Sequence, residues 1–570
     1  MKTGDGRRET GDVPPDGLPT TACAGSDSPT GCLPSAVSCL PAYTRREFLA
    51  ALIAAPAAPA LIGLARKSGP AITGGFVDDN SALGHALRDG TLSTRAREQR
   101  RVSVAIVGGG MGGLSAGWRL DGLGMRDWLL LELADTPGGN ARSGRNDAGR
   151  YPWGAHYLPV PGPQATLVRQ LMRELGVLDA NGEWDERTLC HSPQERLFQH
   201  GRWHEGLEPL DALSADERAQ FARLAETIAE WRASGVFSVP TALGHERLAS
   251  GRVPRAVADR ARALDAQTAD AWLREQGFTS PALRWWVEYG MRDDYGASLT
   301  QASAWAAVHY SAAREPDEQG PLTWPEGNDW IARQLAARAG ERIVTRAPAV
   351  QLERKGTQWV VHTPLVDVTC DAVIWAAPLL VLPKVLPSVT LPVTTDYAPW
   401  VVANLTLKRP PAEQGAPPAW DNVIYGSPSL GYVDAGHQSL ATRPDGRVWT
   451  WYHAVVDRPS ADGRKWMQDR SWSAWRDQIL SDLSRAHADI TECVAHIDIM
   501  RWGHAMARPV PGLMARVERL RRWAPAPQLV VAHADLSSLS LFEEAQWHGV
   551  EAADRVVGML GSARGRLPRD

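Results

Sequence analysis

Cysteine is scarce in this 570-residue chain and badly placed for any shared task. Cys23, Cys32 and Cys39 precede residue 44, and only Cys190, Cys370 and Cys493 lie in the body, with no C-x-x-C spacing. That excludes a disulfide framework and a thiolate zinc or redox site, and no metal is expected. Cys370, beside an apolar run, reads as a buried small hydrophobe. An excess of one charge is lacking too: the formal net charge is −4, and no nucleic-acid motif or internal repeat occurs, so no nucleic-acid partner is expected. No apolar run reaches the roughly 20 residues that cross a bilayer, so no stable membrane span is expected. Phenylalanine is rare at 7, whereas tryptophan reaches 24; flat apolar walls carrying an N–H handle suit a lined pocket. With 44% hydrophobic and 22% charged residues, the chain is not mainly disordered, collagen-like or coiled-coil. Its length suits three or four units, at about 150 residues each, or a large two-domain enzyme.

The first hundred residues read as an address. Residues 1–43 are rich in Gly, Pro, Ser, Thr and Asp and are expected to be a disordered extension. Residues 44–67 begin Thr44-Arg45-Arg46-Glu47-Phe48-Leu49, continue as a short apolar stretch interrupted by Pro56 and Pro59, and end in Arg66-Lys67. A twin arginine before a moderately apolar segment looks like a Tat signal, with the Tat export machinery as partner and a periplasmic or extracellular destination. Tat carries folded proteins, so a cofactor loaded before export is expected. Residues 68–100 read as a linker.

The folded body opens with Val102–Val107, a β-branched run suited to a buried parallel strand. It runs into Gly108-Gly109-Gly110-Met111-Gly112-Gly113, which holds G-x-G-x-x-G at Gly108, Gly110 and Gly113. A helix from Leu114, a second strand at Trp128–Leu131 and then Glu132 follow, the acid 132 − 113 = 19 residues past the last glycine. Gly108 permits the tight turn, Gly110 the approach of a pyrophosphate, and Gly113 close helix–strand packing. The helix N-terminus offers free N–H groups to phosphates, and Glu132 would accept from a ribose diol. Order and spacing together predict a dinucleotide site.

Asp135 to Ser143 follow at once, with Gly138-Gly139-Asn140-Ala141-Arg142. The span Val104–Ser143 resembles the flavin-containing amine oxidase superfamily, which includes monoamine and polyamine oxidases and phytoene-desaturase-like enzymes. The resemblance implies FAD as cofactor, with Gly138, Gly139 and Arg142 on the pyrophosphate side; Asn140 stands where the family usually carries arginine. It continues at Leu529–Asp535, with Asp535 at the usual acidic position, and at a helix from Phe542 that carries Glu544 and points at the flavin. Pro325-Glu326-Gly327-Asn328 resembles the family's P-x-G loop, and Val350 matches the position touching the adenine half. The implied fold is α/β. A Rossmann-like FAD-binding domain would be assembled from discontinuous pieces, 101–157, 321–390 and 516–570, with an α+β substrate domain from 158–320 and 391–515.

Catalytic candidates are fewer. His156, in Tyr151–Tyr157, either orients substrate or merely caps local backbone. Asp293-Asp294 would bind an ammonium group if it points into a pocket, and otherwise is solvated or caps a helix. Trp449–His453 reads as a strand with Trp451 and His453 on one side. The resemblance places a lysine near flavin N5, but Asn404 falls at about that place. Its absence implies slow reaction with oxygen, as in a dehydrogenase, desaturase or isomerase. The expected function is an exported FAD-dependent oxidoreductase transferring hydride from a small organic substrate, an amine or polyamine first. A desaturase or isomerase of an apolar substrate, and a flavin-binding protein without turnover, stay open.

Overall fold

The computed structural model describes residues 71–563, apart from 78, 94, 95, 97, 315–319 and 440–445. The extension 1–43 and the signal segment 44–67 therefore lie outside the described residues.

The apolar run that begins the body is a central strand. Glu98–Val107 pairs in parallel with Trp128–Leu131 on one side and with Val366–Trp375 on the other. Val104, Ala105 and Ile106 are fully buried, which is why the run shows no polar alternation. Ile343–Val344 extends the sheet beyond Trp128–Leu131, and Leu529–Val531 joins the far end of Val366–Trp375, both in parallel. Gln351–Lys355 and Gln358–His362 form an antiparallel meander on the earlier half of the same long strand. Helices Met111–Gly122, Asp329–Ala339 and Phe542–Ala563 share one apolar core on a face of this sheet.

The second sheet has eight strands, in the order Thr73–Phe76, Val494–Ala507, Tyr397–Leu407, Arg447–Ala454, Tyr432–Asp434, Asp421–Ile424, Glu195–Gln199 and Arg202–Glu205. Beside it six helices, from Ala215–Ala233 to Ala304–Ala312, gather around a separate core that includes Trp231, Trp272 and Trp305. The chain leaves the cofactor half at Tyr157–Leu158 and comes back at Leu322–Thr323, which pair with each other. The second excursion leaves and returns through Tyr397–Leu407 and Val494–Ala507, also paired.

The linker reading of 68–100 needs correction. Thr73–Phe76 is an edge strand running parallel to Val494–Ala507, helix Ser81–Arg88 follows, and the central strand begins at Glu98. The strand hides in sequence because two of its four residues are glycine, which strands disfavour, and four residues are too few to show alternation. Gly74 is required there: a Cβ at φ +142° would come within 1.9 Å of the Ile497 carbonyl oxygen. Among the described residues, no helix is long and apolar enough to cross a membrane.

Candidate active site

The glycine turn forms a cradle. Gly113 lies so close to the strand end that a Cβ would fall 1.9 Å from the Gly108 carbonyl oxygen, whereas a Cβ on Gly110 would meet only Gly139 Cα, at 4.0 Å. The loop carrying Gly138 folds back through a 2.8 Å bond from its N–H to the Gly109 carbonyl. Gly110 and Gly139 thus face each other across an opening at the start of helix Met111–Gly122, whose first-turn N–H groups have no carbonyl of their own helix to use. That is the geometry of an anion site. Arg142 stands nearby, its guanidinium 5.2 Å from the centre of the Trp502 ring and without an ion pair among the described residues.

Two acids border the cradle. Glu132 accepts from the N–H groups of Gly109 at 2.6 Å and Ala134 at 2.7 Å. Burial raises its pKa, and these donors together with Arg142 only partly offset that. Asp535 is fully buried; one oxygen accepts from Leu379 N–H at 2.9 Å and the Tyr397 hydroxyl at 2.5 Å, while the other has no partner. Burial opposes its ionisation, but His533, Tyr397 and Leu379 hold its pKa below the usual carboxylate range. An unpartnered carboxylate oxygen in a dry site is costly unless a hydroxyl donor arrives. The residues present therefore fit FAD: N–H groups at the Gly110 opening for the pyrophosphate, Glu132 for one polyol and Asp535 for another.

Of two further expected cofactor residues, Glu544 is engaged by protein partners and Val350 keeps only part of its backbone free. Glu544 does not face this space; its carboxylate accepts from Thr241 N–H at 2.6 Å, the Thr241 hydroxyl at 3.0 Å and the Ser537 hydroxyl. The helix turns about 100° per residue, so the neighbour Glu543 faces the cavity instead. Val350 spends its N–H on the His362 carbonyl at 2.8 Å, continuing the meander, and has only its carbonyl and side chain to offer.

Next to the cradle lies a cavity of about 240 Å³. One wall is Gly154-Ala155-His156-Tyr157 with Asn140, and another is Trp400, Val402, Tyr452 and Trp502 from the eight-stranded sheet. Trp502 donates to the Trp153 carbonyl at 2.7 Å, Tyr452 to that of Gly154 at 3.0 Å, and Asn140 to that of Ala505 at 2.5 Å, so the walls are pinned by backbone. His156 stacks on Tyr452 with ring centres 4.6 Å apart; burial pulls its pKa down to about 4, so it is neutral at physiological pH. Strand alternation brings Tyr452 to the cavity, while Trp451 and His453, stacked on each other, share the opposite face.

Asp293 and Asp294 line the same cavity, in the last turn of helix Pro281–Tyr295. Carboxylates at a helix C-terminus oppose the helix dipole, and this placement excludes an N-capping role. Tyr157 donates to Asp293 at 3.2 Å and reaches Asp294 at 3.4 Å, and Arg314 pairs with Asp294 at 2.5 Å while lying 4.4 Å over the Tyr310 ring. Asp293 has no ion pair among the described residues; burial, then the charge of Asp294, raises its pKa. Glu543, 6% exposed, also lacks an ion pair among the described residues, and burial pushes its pKa up to about 7. Three carboxylates and three arginines, Arg232, Arg247 and Arg314, thus line one largely apolar-walled cavity.

Asn404 is not among the cavity-lining residues. Buried in its strand, it donates to the Pro152 carbonyl at 3.0 Å and accepts from the Thr450 hydroxyl at 2.7 Å. With both ends of its amide engaged by protein, it supports the Pro152–Gly154 turn and does not contact a reactant. Sequence reasoning missed Glu543, Arg314 and Tyr452. Only Tyr452 left a signal, in the alternation of its strand.

The model of one protein family, described as Flavin containing amine oxidoreductase, matches residues 111–557. Solved structures share the fold at low identity. Putrescine oxidase, as the wild type bound to putrescine, is 16% identical with a TM-score of 0.60, over 81% of this chain and 100% of that one. Cyclohexylamine oxidase from Brevibacterium oxydans IH-35A is 16% identical with a TM-score of 0.57, over 80% and 99%. A CLA-producing fatty acid isomerase from P. acnes is 16% identical with a TM-score of 0.56, over 81% and 99%. No curated protein matches in sequence. With the glycine cradle, the two bordering acids and a family match running through nearly the whole described body, the chain belongs to the flavin-containing amine oxidoreductases and is an FAD-dependent oxidoreductase.

Proposed function

We propose that the enzyme oxidises a primary or secondary amine. One observation carries the reading: Asp293 and Glu543, neither of them in an ion pair among the described residues, line an aromatic-walled cavity beside the flavin cradle, while Asp294 is paired with Arg314. Two buried carboxylates without a cation attract an ammonium group. Bound flavin supplies a two-electron acceptor for a hydride. Such an acceptor would take the hydride from the carbon next to nitrogen once the nitrogen has lost one proton, leaving an iminium that water would hydrolyse to a carbonyl compound. Asp293, whose raised pKa makes it a competent base near neutrality, takes that proton, while Tyr157 orients it. Trp400, Tyr452 and Trp502 fix the carbon chain and exclude water, and neutral His156 offers a hydrogen bond without competing for the ammonium site.

Amine titration of the yellow protein without air tests this reading: bleaching by an amine and not by the matching alcohol is expected, and bleaching by neither ends it. Readmitting air then separates an oxidase from a dehydrogenase. No lysine is among the cavity-lining residues, which favours slow return of the colour. We further propose that the twin-arginine segment at 44–67 exports the loaded enzyme. Replacing Arg45 and Arg46 with Lys should retain it in the cytoplasm, and unchanged secretion would exclude that route.

A further inference from the structure

The cavity is not uniformly acidic. Besides Asp293, Asp294 and Glu543 the lining includes Arg232 and Arg247, the latter bonded to the exposed Gln164. Neither arginine is neutralised. Arg232 donates to the carbonyls of Arg314 at 3.1 Å and Ser311 at 2.8 Å, and Arg247 to the carbonyl of Gly235 at 2.9 Å and to the Gln164 side chain. No carboxylate lies within ion-pair distance of either among the described residues. Each guanidinium is held by two neutral acceptors and is only partly buried, which positions its remaining N–H groups for an anionic oxygen group. The lining also includes the apolar Leu158, Pro161, Phe237 and Val239.

The geometry points to a substrate with two opposite charges: an amine whose carbon chain ends in an anionic oxygen group, a carboxylate or a phosphonate-like group. The ammonium lies at Asp293 and Glu543 against the flavin, the chain along the apolar lining residues, and the anion at Arg232 and Arg247. This inference rests on the amine reading and narrows it. A simple diamine is disfavoured, because its second ammonium would approach two unpaired arginines, and a plain alkylamine leaves them unused.

The test compares, at equal chain length, an n-alkylamine, an α,ω-diamine, an ω-aminocarboxylate and an ω-aminophosphonate, by anaerobic flavin bleaching and steady-state kinetics of the holoenzyme. The aminocarboxylate or the aminophosphonate should show kcat/KM at least about tenfold above the alkylamine, mostly through KM, with the diamine lowest; the better of the two anions identifies the terminal group. Arg232→Gln with Arg247→Gln should lower the ratio of aminocarboxylate to alkylamine kcat/KM about tenfold. Arg247→Glu should raise the diamine above the aminocarboxylate, and Arg247→Lys should retain most of the preference. A straight-chain alkanoate, which cannot be oxidised, should perturb the bound-flavin spectrum in the wild type and not in the double variant. Equal kcat/KM for all four compounds, or a diamine preferred by the wild type, overturns the inference and leaves the amine reading standing. Alkanoate binding that depends on the arginines, with no amine bleaching the flavin, instead removes the amine reading and the doubly charged substrate with it, and leaves only an anion site at Arg232 and Arg247. Failure of both removes both.

Discussion

The cofactor cradle and the substrate cavity touch each other but are built by different means. The cradle is made mostly of backbone: the Gly108–Gly113 turn, the Gly138-Gly139 loop and the first turn of a helix, all within about forty consecutive residues. The cavity is made of side chains from distant parts of the chain, with Tyr157, Asp293, Arg314, Tyr452 and Glu543 each on a different element. Backbone sites tolerate no added atoms, whereas side-chain sites tolerate exchange and change what they bind. Substitutions in the two regions should therefore fail differently.

The largest expected effect is at the cradle. Gly113→Val places atoms where even a Cβ would sit 1.9 Å from a carbonyl oxygen. It should lose flavin and also lower the melting temperature of the apoprotein by several degrees, a cost of a few kcal/mol. Gly110→Val separates binding from folding, because its Cβ has open space. Apoprotein melting should then be nearly unchanged while flavin content falls at least tenfold. Equal loss of stability in both variants would show that the opening at Gly110 is packing space and not a ligand site.

In the cavity the effect moves from cofactor to substrate. Asp293→Asn should keep full flavin content and raise KM for an amine roughly ten- to a hundredfold, the range of a lost charge-assisted hydrogen bond. Asp294→Asn is a poorer probe, since it leaves Arg314 buried without its partner and costs stability as well. A fall in flavin content with Asp293→Asn would break the separation between the two regions.

This contrast also explains what was legible in the sequence. The cradle could be read because its determinants are local: a β-branched run, glycines at fixed spacing and an acid 19 residues on. Asp293-Asp294 was visible only as an odd pair; that it meets Glu543, 249 positions later, depends on how the chain threads two excursions through one fold. Glu544 drew attention in place of Glu543 because helix phase at a helix start is not fixed by sequence to within one residue, and one residue is about 100° of rotation. The strand at Thr73–Phe76 was hidden for the opposite reason, its partner supplying all the pattern that Thr-Gly-Gly-Phe lacks.

The smallest effect is the most discriminating for the role of Glu543. Burial raises its pKa from 4.5 to about 7 in the folded protein. A raised carboxyl pKa means that the native state binds the proton more tightly than the unfolded chain, so its contribution to stability is fully present below about pH 4.5 and is lost as pH rises through about 7. Glu543→Gln carries no such titration. Its stability relative to the wild type should therefore rise across that window, by up to about 3 kcal/mol for a shift of this size, as measured by denaturant midpoints of substrate-free holoenzyme. A flat difference from pH 4.5 to 7 would mean that Glu543 is ionised in the cavity throughout, held by a cation or solvent that reaches it. With an amine substrate added, the carboxylate gains its missing partner, and the advantage of the glutamine variant should shrink or reverse. That reversal would not occur in a carboxylate buried only for packing, and it ties the pH behaviour of the fold to the charge of what the cavity binds.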